Sequence, residues 1–217
     1  MRIMKNYAVF GLGRYGRAVA AELERSGAEV LAVDADPRIV SEAAQQLPMC
    51  KCADVTDGEV IRQLGIATMD AVIITMANNL EASVMATMLC KEVGVPTVIV
   101  KCANQMHQQI LTKIGADQVV FPENESGIRL AKNLMSNGFV DIMEFSSEAS
   151  MLELEVHPDW VGKTLMELNL RKKYSMNIVA IRDGDSVTTL VDPEKPMQAH
   201  WKLIVIANPA RISKLKA

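Results

Sequence analysis

Aromatic side chains make up only 4% of this 217-residue sequence. Stacked rings therefore cannot build its core, and Leu, Val, Ile and Met must fill it. The 14 methionines read as adaptable packing rather than as sulfur or metal chemistry. Long apolar runs are lacking as well. Ala71-Val72-Ile73-Ile74 and Leu203-Ile204-Val205-Ile206 are typical, and neither approaches the ~20 residues a membrane helix needs. Residues 1–6 lead straight into an apolar strand, so no signal peptide and a cytoplasmic location are expected. There is no basic excess: the net charge is −3 and neither half is basic, which gives a nucleic-acid partner no electrostatic footing. Cysteines number four. Cys50 and Cys52 are too close for an ordinary zinc pair and alternate to opposite strand faces, so reduced structural thiols are the default. His107, His157 and His200 sit in unrelated contexts, and no acid–base constellation is visible.

What is present begins at Gly11-Leu12-Gly13-Arg14-Tyr15-Gly16. The stretch follows the apolar run Tyr7–Phe10 and opens a helical pattern. This is a GxGxxG turn in its meaningful context. Gly11 allows the tight turn, Gly13 lets a phosphate approach the backbone, and Gly16 lets helix and strand pack closely. The helix start then offers N–H groups and a partial positive charge to phosphate oxygens. Arg14 adds a full positive charge against the helix dipole, which an anion would compensate. A planar guanidinium suits a terminal phosphate. Gly11, Gly13, Arg14, Tyr15 and Gly16 are thus candidate nucleotide contacts.

Strand and helix patterns alternate through the first part of the chain, with strands expected at 7–10, 29–33, 49–52, 71–75, 97–101 and 118–121. Continuous apolar strands joined by helices imply a doubly wound, Rossmann-like parallel sheet. Asp34 ends the second strand, where a carboxylate accepts ribose hydroxyls and repels a 2′-phosphate. Asp54 follows strand three, where adenine packs in this fold, and Thr75–Asn79 follows strand four over the same crevice. Lys101 ends strand five and would aim at the same sheet edge. Asp54 and Asn79 also read as helix caps, and Lys101 as a solvated strand end. The first domain is expected over 1–138, a linker over 139–150, and a small α+β domain over 151–217. The small domain should hold a capping box at Thr164 and Glu167 and a hairpin turn at Asp183-Gly184.

Both parts together resemble the regulator-of-potassium-conductance (RCK) family, the KtrA/TrkA-like cytosolic regulatory subunits of Ktr/Trk-type potassium uptake systems, with TrkA-N and TrkA-C domains. The residues that carry the resemblance are Ala8–Gly16, Val30–Asp34, Lys113–Asp117, Gly162–Leu165, Leu168–Arg171, Tyr174 and Ile178–Ile181. The resemblance implies a non-enzymatic subunit that binds ATP or ADP, or NAD(H) in Trk-type members, in the glycine-loop crevice. It implies dimers and octameric rings beneath an integral-membrane potassium pore subunit of KtrB/TrkH type. Arg14 matches the family arginine at the terminal phosphate. Glu123 matches an acidic residue near those phosphates that can hold a divalent cation, Ca or Mg, at the dimer interface. Its other reading is a carboxylate favoured by a helix start. Some relatives bind cyclic di-AMP in the small domain, and Leu165, Met166, Arg171, Asn177, Ile178 and Pro193 occupy the corresponding positions. Arg171 could instead pair with a local carboxylate. Ala199-His200-Trp201-Lys202 departs from the family, where Gly-Asp usually precedes the last strand, and Ala207-Asn208 replaces the usual glycine after it. The alternatives are an NAD(H)-binding redox sensor or small NAD-dependent oxidoreductase, favoured by Asp34, and a domain of a larger cation-efflux system.

Overall fold

The computed structural model describes residues 5–135, 139–146 and 149–208. The chain divides into two compact units, residues 1–123 and 124–217.

The first unit alternates β1 (Asn6–Phe10), α1 (Arg14–Arg25), β2 (Glu29–Asp34), α2 (Pro37–Ala43), β3 (Cys50–Cys52), α3 (Gly58–Gln63), β4 (Ala71–Ile74), α4 (Leu80–Glu92), β5 (Val98–Lys101), α5 (Gln105–Lys113) and β6 (Gln118–Val120). All strands are parallel, in the order β3-β2-β1-β4-β5-β6. Successive strand side chains point to opposite faces, and β1 buries both sets. Ala8 and Phe10 join one apolar cluster with Leu31, Val72 and Ile74; Val9 joins another with Val30, Ala32 and Ile73. That double burial is why these strands read as unbroken apolar runs. Asp36, Asp57, Asn79 and Asn104 cap α2, α3, α4 and α5, each side chain accepting a backbone N–H. The strand order reverses between β1 and β4, which opens a crevice at the carboxyl ends of the strands.

The second unit contains most of α6 (Pro122–Met135), then β7 (Phe139–Ser146), β8 (Ala149–Glu155), α7 (Leu165–Leu168), α8 (Leu170–Tyr174), β9 (Asn177–Asp183), β10 (Ser186–Thr188) and β11 (Lys202–Ala207). Its sheet is antiparallel, ordered β10-β9-β11-β8-β7. Here burial alternates. Leu152, Leu154, Leu203 and Val205 face a core with Trp160, Leu168, Leu170, Met176 and Met197. The Thr164–Glu167 capping box forms, and the hairpin turns at Gly184-Asp185 between β9 and β10.

Two expectations change. The segment 139–150 is not an irregular linker: residues 139–146 form β7, paired with β8, while Ser147 and Glu148 lie outside the described residues. Helix α8 was not expected. Asn169, at φ +50 between α7 and α8, breaks one helical run into two short ones. The unusual Trp201 is accommodated in the core, 5% exposed, with its Nε1 donating to Asp183 Oδ2 at 3.1 Å and the Lys195 ammonium 4.9 Å from its ring.

Candidate functional site: the crevice at the start of helix α1

The turn between β1 and α1 is fixed by contacts that leave no choice of residue at Gly11 and Gly16. Gly11 has φ +89, and its amide donates to Val33 O at 2.8 Å. A Cβ there would meet Met76 Cγ at 2.9 Å. A Cβ on Gly16 would overlap the Gly11 carbonyl oxygen and stand 2.7 Å from Thr75 Oγ1. Thr75 Oγ1 in turn donates to Gly11 O at 2.7 Å, tying the end of β4 to the loop. Gly13 is different. A Cβ there meets nothing within 4 Å, so the protein itself does not require glycine at this position. Gly13 is also the N-cap of α1, and it supplies no side-chain cap. The helix start thus combines an open approach with N–H groups suited to an anion.

Asp34 lies at the end of β2. Its Oδ2 accepts the Leu12 amide at 2.7 Å and its Oδ1 accepts the Asp36 amide at 2.9 Å. The carboxylate therefore pins the glycine loop to β2, and each oxygen retains a lone pair for a hydroxyl. Asp54 is not a helix cap; Asp57 caps α3 instead. Asp54 Oδ1 accepts both the amide of Thr56 at 2.9 Å and its hydroxyl at 2.7 Å, which holds the carboxyl below its usual range. Asn79 is the cap of α4, accepting from Ala82 N at 3.0 Å. Gly11, Asp34, Asp54, Asn79 and Met76 line one cleft of about 460 Å³. Val33, Ala35, Ala53, Val55, Thr56, Glu81, Ala82 and Met85 complete it. The volume lies within the range of small-ligand sites. Sequence reasoning missed Thr56, Glu81 and Met85. The Asp-x-Thr spacing signals the first as a local turn, and Glu81 and Met85 lie one helical turn apart on α4.

A second group stands at the same helix start. Lys101 Nζ, at the end of β5, contacts Glu123 Oε1 at 2.5 Å and lies 5.4 Å from the Tyr15 ring centroid. The Lys101 hydrogen bond is the main cause that holds the Glu123 carboxyl below its usual range, and the Arg14 charge adds to it. Arg14 is exposed on a first turn that contains no acidic residue. Lys101 is thus not a solvated strand end, and Glu123 is not a solitary helix-start carboxylate. The expected cation role meets a donor set of one carboxylate. Among the described residues no group of three or more His, Cys, Asp or Glu could hold a metal ion. One carboxylate does not make a resident cation site within a single chain.

In the second unit, Leu165, Met166, Arg171, Asn177, Ile178 and Pro193 line one hollow of about 340 Å³, together with Asn169, Leu170 and Met176. Arg171 Nε donates to Asn177 Oδ1 at 2.7 Å, so its partner is an amide rather than a carboxylate.

This architecture matches known proteins. Residues 7–122 match the TrkA-N domain and residues 151–217 the TrkA-C domain. The chain belongs to the TrkA family. It is 39% identical to Ktr system potassium uptake protein C of Bacillus subtilis (strain 168), over 98% of this chain and 96% of that one. It is 32% identical to Ktr system potassium uptake protein A of the same organism, with the same coverage. Among solved structures its fold resembles the GsuK channel, at TM-score 0.70 and 19% identity, over 99% of this chain. The chain spans about two-fifths of that protein, 39% of its length. A structure of the GsuK channel bound to NAD superposes at TM-score 0.52 and 23% identity, covering 99% of this chain and 38% of that one. The TrkA-type chain is therefore a potassium uptake family member with a Rossmann-like unit and a small antiparallel unit. No helix among its described residues is long and apolar enough to cross a membrane.

Proposed function

We propose that this chain is a nucleotide-binding regulatory subunit that gates a membrane potassium pore, taking ATP or ADP in the crevice at the start of α1. The observation that carries the reading is the pairing of an obligatory Gly16 with an unconstrained Gly13. The first glycine serves the fold. The second leaves the backbone accessible at the uncapped start of α1, where phosphate is favoured. Asp34 would take the ribose, and the cleft between Asp54, Met76 and Met85 the adenine. Arg14, Lys101 and Tyr15 would lie toward the terminal phosphates. A divalent cation enters this reading only with phosphate oxygens completing its shell around Glu123. None of the three histidines lines the cleft, and the reading assigns no catalysis.

Gating requires a ligand that distinguishes two conformations. ATP and ADP differ by one phosphate, so the cations beside α1 are the natural discriminators. Self-association is part of the proposal. Every residue of α6 from Glu123 to Ala131 is exposed, as is Leu134, and Ile128, Leu130 and Leu134 are 48%, 60% and 74% exposed. Exposed apolar side chains on this otherwise polar helix suit a second copy of the chain, and a ring of dimers beneath a pore subunit follows the family resemblance. The hollow around Arg171 and Asn177 would take a second ligand, cyclic di-AMP.

The alternative nucleotide is NAD(H), favoured by Asp34 and by the NAD-bound GsuK channel. A thermal-shift panel of ATP, ADP, NAD, NADH, AMP and cyclic di-AMP separates these readings, because a ligand bound only by the native state raises its melting temperature. ATP and ADP should give the largest shifts. A strong NADH shift with no ATP response would replace the proposal with the alternative.

A further inference from the structure

Beside α1 the Lys101 ammonium is held by the Glu123 carboxylate. Lys101 is the enclosed partner, its side chain 14% exposed, whereas the Glu123 side chain is 63% exposed. Lys101 is bounded on another side by the Tyr15 ring. Tyr15 belongs to the first turn of α1, two residues after Gly13, where the backbone is open to a phosphate. A phosphate seated there would stand among the charges of Arg14, Lys101 and Glu123. It would be attracted by the two cations and repelled by the carboxylate. Lys101 cannot satisfy both anions as fully as it satisfies one.

We propose that Glu123 is an internal competitor for the nucleotide: it holds Lys101 in the free protein and loses it to a phosphate when ATP or ADP binds. The inference rests on the nucleotide reading above and adds regulation to it. Lys101 becomes a cation of the phosphate end, and Glu123 the device that lowers its availability. Glu123 lies on the first turn of α6, so the exchange of partners occurs where the chain leaves the first unit.

The test is a double-mutant cycle by titration calorimetry on the full chain, with ATP as probe and EDTA present to remove divalent ions. Glu123→Ala should bind ATP about threefold to fivefold more tightly than the parent, the scale of coupling in a partly exposed ion pair. In a Lys101→Met background the same Glu123→Ala change should bring a clearly smaller gain, because only the carboxylate's own repulsion of phosphate is removed and no ammonium remains to be released. Absence of tightening by Glu123→Ala in the chain that keeps Lys101 overturns the proposal. Equal tightening in both backgrounds also overturns it, since Glu123 would then act by plain repulsion. Glu123→Gln carries the same test if the alanine variant folds poorly. A parent chain that binds ATP but fails either arm leaves the nucleotide reading standing. A parent that binds neither ATP nor ADP removes both.

Discussion

The first unit builds its candidate site from backbone and the second builds its hollow from side chains. In the first, a parallel sheet buried on both faces brings the strand ends and the start of α1 to one edge. The glycine loop then presents main-chain groups, and its geometry tolerates no added Cβ at Gly11 or Gly16. In the second, an antiparallel sheet packs one face on a small core. Its hollow is lined by Met166, Arg171 and Asn177 on and around two short helices. Backbone sites are fragile to a single methyl group. Side-chain sites change affinity residue by residue while the fold persists.

The largest effect expected is at Gly16. Gly16→Ala drives a Cβ into the Gly11 carbonyl and toward Thr75 Oγ1, neither of which is the end of a flexible chain. We expect a loss of about 3 kcal/mol or more in urea unfolding, on the scale of severe overpacking. Gly13→Ala is the matched control. Its φ of −63 is ordinary and its Cβ meets nothing, so stability should stay within about 0.5 kcal/mol of the parent. Its ATP affinity should nevertheless fall. A stable Gly13→Ala chain with unchanged ATP binding would break the division between a glycine for the fold and a glycine for the ligand.

Arg14 tests whether the backbone site also uses side chains. It stands exposed on a helix turn with no acidic neighbour in that turn. Removing it should cost the fold little. Arg14→Ala should weaken ATP binding by about tenfold, the worth of one charge-assisted contact, and ADP binding by less. Equal losses for both nucleotides in calorimetry would remove Arg14 from the terminal phosphate. In the second unit the corresponding change is Arg171→Ala, which opens the Asn177 contact. It should leave ATP affinity untouched.

The same contrast explains what the sequence disclosed. The Gly11–Gly16 turn, Asp34 and the capping box are local, and spacing alone reveals them. The six-stranded alternation is equally legible, because burial on both faces writes each strand as an apolar run. The Lys101–Glu123 pair joins residues 22 positions apart, and only the adjacency of β5 and β6 places them in contact. Each was legible as a candidate; their mutual contact was not. Asp54 looked like a cap because Asp, turn and helix follow one another, yet Thr56 takes its oxygen and Asp57 does the capping. Strand β7 is hidden because its pairing partner, β8, begins three positions after it ends and Ser146-Ser147-Glu148-Ala149-Ser150 reads as a linker. The six residues around the second hollow came from family resemblance, since the break at Asn169 destroys any periodicity that could have grouped them.

The smallest expected effect compares one acid-sensitive contact in each unit. Asp117 follows α5 and accepts from Val98 N at 2.7 Å and from Lys91 Nζ at 2.9 Å. The Val98 amide, then Lys91, hold its carboxyl below the usual range. Glu167 is held down in the same sense by the Thr164 amide and then the Thr164 hydroxyl. A carboxyl lowered in the folded state binds fewer protons than in the unfolded chain. Its stabilisation is therefore complete above the unfolded pKa, near 4, and fades as pH falls through the lower folded value. The Asp117 side chain is 39% exposed, so solvent screening limits its share to about 1 kcal/mol or less. Asp117→Asn should lower stability at pH 7 and flatten the acid limb of the first unit's unfolding profile below pH 4. Glu167→Gln should do the same for the second unit with a smaller amplitude, because the capping box is open to solvent. Stability profiles that keep their full acid slope in the Asp117→Asn chain would show that the joint between β5 and β6 does not depend on this carboxylate.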